Sequence, residues 1–152
     1  MDDRYEAMEK FIAESSDKVE FGDFGQGVSD EWIAKAESFL GIPLPQSYKW
    51  WLKNYSGGEI GGEEIYSIYE QDFETVVGGD IVYMHKLNQK NKFYKPNQLV
   101  ICESDTDGAF YFNVDEKDSN GEYPVYSAIT DNVYAKDFLS FLEKRIRVFK
   151  AV

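Results

Sequence analysis

Residues 28–58 read VSDEWIAKAESFLGIPLPQSYKWWLKNYSGG, and their punctuation decides how the chain begins to fold. The Ser29 hydroxyl can accept from an orphan backbone donor, and Asp30 and Glu31 follow where the positive end of a helix favours carboxylates. Trp32, Ala36, Phe39 and Leu40 then recur at i, i+4, i+7 and i+8, the helical period. Gly41 suits the left-handed residue that ends a helix, and Pro43 cannot continue it. Pro45 suits a first helical turn because its missing N–H would be orphaned there anyway. Tyr48, Trp51, Leu52 and Tyr55 form the apolar face of a second helix, which Ser56, Gly57 and Gly58 stop. The stretch predicts a helix pair with a short, proline-stiffened connection.

Upstream, Tyr5, Met8, Phe11 and Ile12 predict a short helix over 5–15. Gly22, Gly25 and Gly27 then argue for a loop over 19–27 that either presents Phe21 and Phe24 or, as the favoured reading, is pinned to the core by them. Downstream of Gly58 the period changes. Ile60, Ile65, Tyr66, Ile68 and Tyr69, bracketed by Gly61 and Gly62, suggest a short strand. Between Asp72 and Phe93 two readings stay open. Gly78, Gly79 and Asp80 could end a strand through Val76 and Val77 and cap a helix carrying Ile81, Met84 and Leu87, or 81–84 could itself be a strand. Strands over 99–102, 109–114 and 124–128, separated by Asp107-Gly108 and Asn120-Gly121 turns, predict an antiparallel meander. Phe138, Phe141, Leu142, Ile146 and Phe149 predict a closing helix over 135–149. The order is that of an α+β fold: N-terminal helices, a mainly antiparallel sheet covered on one face by helices, and a C-terminal helix. One domain over 1–152 is expected from the length.

The chain has 152 residues with 28 Asp or Glu against 16 Lys or Arg, a net charge of -12 and a pI near 4.5. Nucleic-acid binders neutralise phosphates with Lys and Arg, so this balance argues against a nucleic-acid partner, and anionic membranes would repel it as well. Aromatic residues make up 16% of the chain, too many for a disordered acidic tail. Cys102 is the lone cysteine, which forbids an intramolecular disulfide and suits a reducing compartment. The start Met1-Asp2-Asp3-Arg4 lacks the basic head of a signal peptide, and no apolar run reaches the roughly 20 residues of a membrane helix. The expected location is cytoplasmic.

A search for catalytic chemistry finds little to build with. His85 is the one histidine, so triads and two-histidine zinc sites all depend on it. Cys102 ends the apolar run Leu99-Val100-Ile101, where a thiol is usually a small buried hydrophobe. Glu116, Asp118, Asn120 and Gly121 follow calcium-loop spacing, but the twelfth position is Ser127 where a bidentate Glu is required. The pairs Gly57-Gly58, Gly61-Gly62 and Gly78-Gly79 form no phosphate loop. No catalytic residue, metal or cofactor is expected. A dense negative field can steer a basic protein to encounter; the alternative is that the charge serves solubility alone.

Residues 28–58 also resemble the signature of the SUKH superfamily. The resemblance rests on Ser29-Asp30-Glu31, Glu37 in the first helix, Leu44-Pro45 followed by Tyr48, and Asn54 ahead of Gly57-Gly58, where Tyr55 and Ser56 interrupt the usual Asn-Gly-Gly. It extends through Leu99-Val100-Ile101, Phe110-Tyr111-Phe112, Pro124-Val125-Tyr126 and Phe138, covering roughly 28–146. It implies an immunity protein that neutralises a polymorphic toxin, often a nuclease, with antitoxins of LXG-type toxins the most similar; other members are regulatory scaffolds. It implies no catalytic residues. On this reading two acidic patches would meet the toxin's basic groove: Glu63, Glu64, Glu70, Asp72 and Glu74 in one, Glu103, Asp105 and Asp107 in the other. Tyr66, Tyr69 and Tyr111 would be aromatic anchors.

Overall fold

The computed structural model describes residues 3–76 and 78–151 of the chain. The elements run α1 (Asp3–Ala13), β1 (Val19–Phe21), α2 (Asp30–Leu40), α3 (Gln46–Tyr55), β2 (Gly58–Ile60), β3 (Glu63–Ile65), α4 (Ile81–Lys90), β4 (Gln98–Ser104), β5 (Gly108–Asn113), β6 (Val125–Ser127), β7 (Asn132–Ala135) and α5 (Phe138–Lys150). The helix pair forms as its punctuation predicts. Ser29 accepts from Trp32 N–H at the start of α2, and Gly41, at φ 66°, donates its N–H back to Glu37 to end it. Pro45 stands just before α3 and has no side chain with which to cap it. Glu122 supplies the cap from the far side of the chain, accepting from Ser47 N–H (2.9 Å) and Ser47 Oγ (2.5 Å).

The strands form one antiparallel sheet in sequence order, β1 to β7. Helices cover one face. Tyr48 and Trp51 from α3 and Phe138 and Phe141 from α5 are fully buried, and Tyr48 sets its ring edge-on to Phe112 at 5.7 Å and to Phe138 at 5.0 Å. The buried Tyr48 hydroxyl donates to the Tyr66 carbonyl at 2.5 Å, which ties α3 to the end of β3. The α+β architecture with N-terminal helices and a closing helix is therefore as the element order predicts.

Three local readings are revised. Val19–Phe21 is a strand rather than a loop: it pairs with β2 as the edge of the sheet, while Phe21 packs on Trp51 and Tyr55 as the favoured reading has it. The strand expected after Gly58 is a hairpin. Gly61 and Gly62 occupy its turn with φ of 58° and 83°, the two left-handed positions that a tight twisted turn demands. The closing helix starts later than expected, because β7 takes the residues up to Ala135 and Asp137 caps α5 by accepting from Ser140 N–H. Of the two readings around residue 81, the helix is correct: Asp80 caps α4 through Val82 and Tyr83 N–H. Val76 is buried in the preceding loop, while Val77, Met1 and Asp2 lie outside the described residues.

Candidate functional site

Register decides what the uncovered face of the sheet displays. Directly opposed residues share a face and successive residues alternate. Glu20 lies opposite Glu59, and Glu59 opposite Glu64. Ile65 lies opposite Cys102, so one step along the same register Glu64 adjoins Glu103. These glutamates form a row across β1, β2, β3 and β4 on the face away from the helices; Glu59 is half-buried and the others are exposed. Their neighbours Val19, Ile60, Ile65 and Cys102 are buried, which is why the glutamates must point outward. Like charges directly opposed across strands are destabilising, so the row is a cost to the fold.

Beside the acidic row runs an aromatic one. Val100 opposes Tyr111, Tyr111 opposes Tyr126, and Tyr126 opposes Val133. Tyr111 and Tyr126 stack at 5.5 Å. The tyrosine hydroxyls of this region donate to carboxylates: Tyr66 to Glu103 (2.7 Å), Tyr69 to Glu64 (2.5 Å), Tyr111 to Asp131 (3.1 Å) and Tyr126 to Glu116 (2.6 Å). Burial and then the bond to Glu64 push the Tyr69 phenol up to about 12, and burial and the bond to Glu103 raise Tyr66 well above its ordinary value. Such phenols stay protonated. They hold the carboxylates in place without cancelling their charge.

The residues expected at the site are therefore divided by the pleat. Tyr66 and Tyr111 are buried, with their hydroxyls on Glu103 and Asp131, while Glu64 and Glu103 come together on the open face. Glu63 and Asp107 do not. They turn to the helical side and bind the buried guanidinium of Arg145 at 2.6 and 2.9 Å, with Ser104 Oγ donating to Glu63. Asp105 is exposed in the turn between β4 and β5. Glu70, Asp72 and Glu74 are exposed on the loop 66–80. That loop closes through Ser67 N–H to Gly79 O (3.0 Å) and Ile81 N–H to Ser67 O (2.7 Å). Phe73 anchors it, edge-on to Trp32 and Phe39. Tyr69 joins the loop to the row through Glu64 and accepts from Gly79 N–H.

Glu20, Glu59, Glu116, Tyr126 and Asp131 belong to the face and were not among the residues expected to meet a partner. The available signal was alternation in Val19-Glu20-Phe21, Glu59-Ile60 and Glu64-Ile65, where each acid adjoins an apolar residue that must face the core. His85 and Cys102 lie elsewhere. His85 is buried, with Nδ1 lacking a partner and burial lowering its pKa. Burial pushes the Cys102 thiol up to about 12, far from a reactive thiolate. Among the described residues no group of three or more His, Cys, Asp or Glu is placed to hold a metal ion, and no helix is long and apolar enough to cross a membrane.

With the helix pair, the meander and its acidic face in hand, comparison with known families is informative. The family model SUKH_6, described as SMI1-KNR4 cell-wall, matches residues 30–142. The chain belongs to the SUKH family. The match begins at the first residue of α2 and ends within α5, so it takes in the helix pair and the strands β2 to β7. Helix α1 and strand β1 precede the matched segment. Within this SUKH chain, Glu59, Glu64 and Glu103 lie inside the matched segment and Glu20 lies before it.

Proposed function

We propose that this SUKH protein is an immunity protein, an antitoxin that binds a cognate polymorphic toxin and blocks it, and that the toxin is a nuclease. The observation that carries the reading is the row Glu20, Glu59, Glu64 and Glu103 on the face the helices leave open. A nuclease must present cations to its substrate, and a protein that meets those cations with carboxylates excludes the phosphates. The acids of the loop 66–80, Glu70, Asp72 and Glu74, extend the field, and the half-buried Tyr126 adds aromatic area of the kind that dominates interface energetics, while the buried Tyr66 and Tyr111 hold the Glu103 and Asp131 carboxylates. Asp105 contributes charge at the rim. Glu63 and Asp107 act indirectly, by holding β3 and the β4–β5 turn to α5 through Arg145. On this reading the protein is non-catalytic, acts in the cytoplasm and needs no cofactor.

The test is co-expression with the gene immediately adjacent. Rescue of growth and co-purification by the wild type, both lost when Glu59 and Glu64 are changed to Lys, are expected. Rescue that survives reversal of the whole row would refute the proposed surface. A second reading, a regulatory scaffold, is favoured by the family description of a cell-wall protein. It predicts a basic host partner and no rescue.

A further inference from the structure

Resting on that reading, we infer that the open sheet face receives a helix of the partner, laid across the strands, with basic residues at i, i+3, i+7 and i+10. The row sets this spacing. Its glutamates sit on successive neighbouring strands, and neighbouring strands lie about 4.8 Å apart, so the row spans about 14 Å from Glu20 to Glu103. A helix rises about 1.5 Å per residue, which puts a stripe of this kind at about 0, 4.5, 10.5 and 15 Å along its axis. An extended segment presents same-side residues about 6.7 Å apart and would overrun the row by about 6 Å over the same number of cations. The helical stripe fits the row and the strand does not.

Charge complementarity and the surroundings narrow the occupant further. The face carries acids at the β1 to β4 end and the apolar pair Tyr126 and Val133 on β6 and β7, while Val100 and Tyr111 between them are buried. Tyr126 is half-buried and Val133 is 55% exposed. A helix long enough to continue past Glu103 would therefore meet carboxylates first and, two strands or about 10 Å further on, Tyr126 and Val133. The occupant is a helix that is basic at one end and apolar at the other, and no sheet edge need open to admit it. The edge carbonyl of Tyr134 in β7 is already taken by Lys144 Nζ at 2.7 Å, which disfavours strand addition there.

Dansyl-labelled, alanine-rich peptides test this with the full chain at low salt. One carries lysines at i, i+3, i+7 and i+10; a second has the same composition and helicity with its lysines spread around the axis; a third is a β-forming peptide with alternating lysines. Anisotropy titrations should show the striped helix binding about tenfold more tightly than either of the others, as expected when several exposed ion pairs form at once rather than one or two. Glu59→Lys, an outward-facing change monitored for folding by circular dichroism, should abolish the preference. Equal affinity for the striped and spread helices, or tighter binding of the alternating peptide, would overturn the inference. The two questions separate cleanly. Failed rescue by the neighbouring gene leaves the peptide preference standing, and a wild-type protein that prefers none of the peptides leaves rescue standing.

Discussion

A surface selected for a partner rather than for the fold should become more stable when its charge is removed, and Glu59→Gln is the sharpest test. Glu59 stands between Glu20 on β1 and Glu64 on β3. With carboxylates about 6 Å apart, each pair repels by about 0.7 kcal/mol in bulk water. A Debye length of about 8 Å at physiological ionic strength roughly halves this, leaving about 0.3 to 0.4 kcal/mol per pair. Relief of both contacts therefore stabilises the fold by about 0.6 to 0.8 kcal/mol, and by about 1.1 at 10 mM salt. The Tyr69 hydroxyl draws the Glu64 carboxylate aside, which places the outcome at the lower end. The Tm should rise by about 2 °C. Urea denaturation is the proper assay, because guanidinium chloride would screen the effect. The gain should shrink to near zero in 1 M NaCl, while Glu14→Gln, in the turn after α1, should stay within about 0.5 kcal/mol of wild type at every salt concentration. A Glu59→Gln protein that is no more stable at low salt, or whose gain ignores salt, would refute the argument that the row is held against its own repulsion.

Two further outcomes are expected. Arg145→Met leaves Glu63 charged and uncompensated inside the molecule, while the half-exposed Asp107 can turn to water; the loss should be about 3 kcal/mol by urea denaturation, and Glu63→Gln added to it should recover most of that loss. Burial raises the Glu122 carboxyl above its ordinary value, against the lowering bonds from Ser47. A raised carboxyl favours the folded state at acidic pH, and that contribution is lost as pH rises through its folded value. Glu122→Gln, which can still accept from Ser47 N–H, should therefore gain stability relative to wild type as pH rises from 4 to 7, whereas Glu122→Ala should lose about 1–3 kcal/mol by orphaning that donor.

How far the site was legible follows from individual residues. Ser29, Gly41 and Pro45 announce their roles locally, since capping and left-handed turns depend on a few adjacent atoms. Glu64 and Glu103 could be singled out as acids near strands, and both lie on the open face, whereas Tyr66 and Tyr111, expected as anchors, are buried. Glu63 looked identical to Glu64 in sequence. The pleat sends one to Arg145, with a separation of 82 residues, and the other to the surface. Glu20 was hidden because Val19–Phe21, flanked by glycines, has too few residues for its alternation to outweigh the loop signal, and only pairing with β2 makes it a strand. The same holds for Glu122, whose role as a cap for α3 depends on a contact across 75 residues.

The amino-acid sequence by itself determined the α+β class, the helix pair and the strongly acidic character, because each rests on composition or on periodicity over a few turns, and the SUKH resemblance, because it rests on motif residues close together in the chain. Tertiary structure alone decided which of 28 acids form one surface. Cross-strand register is a relation between distant segments, and a shift of one residue would send Glu59 and Glu64 inward and Ile60 and Ile65 out. The burial of those isoleucines sets the register, and the register places the glutamates side by side.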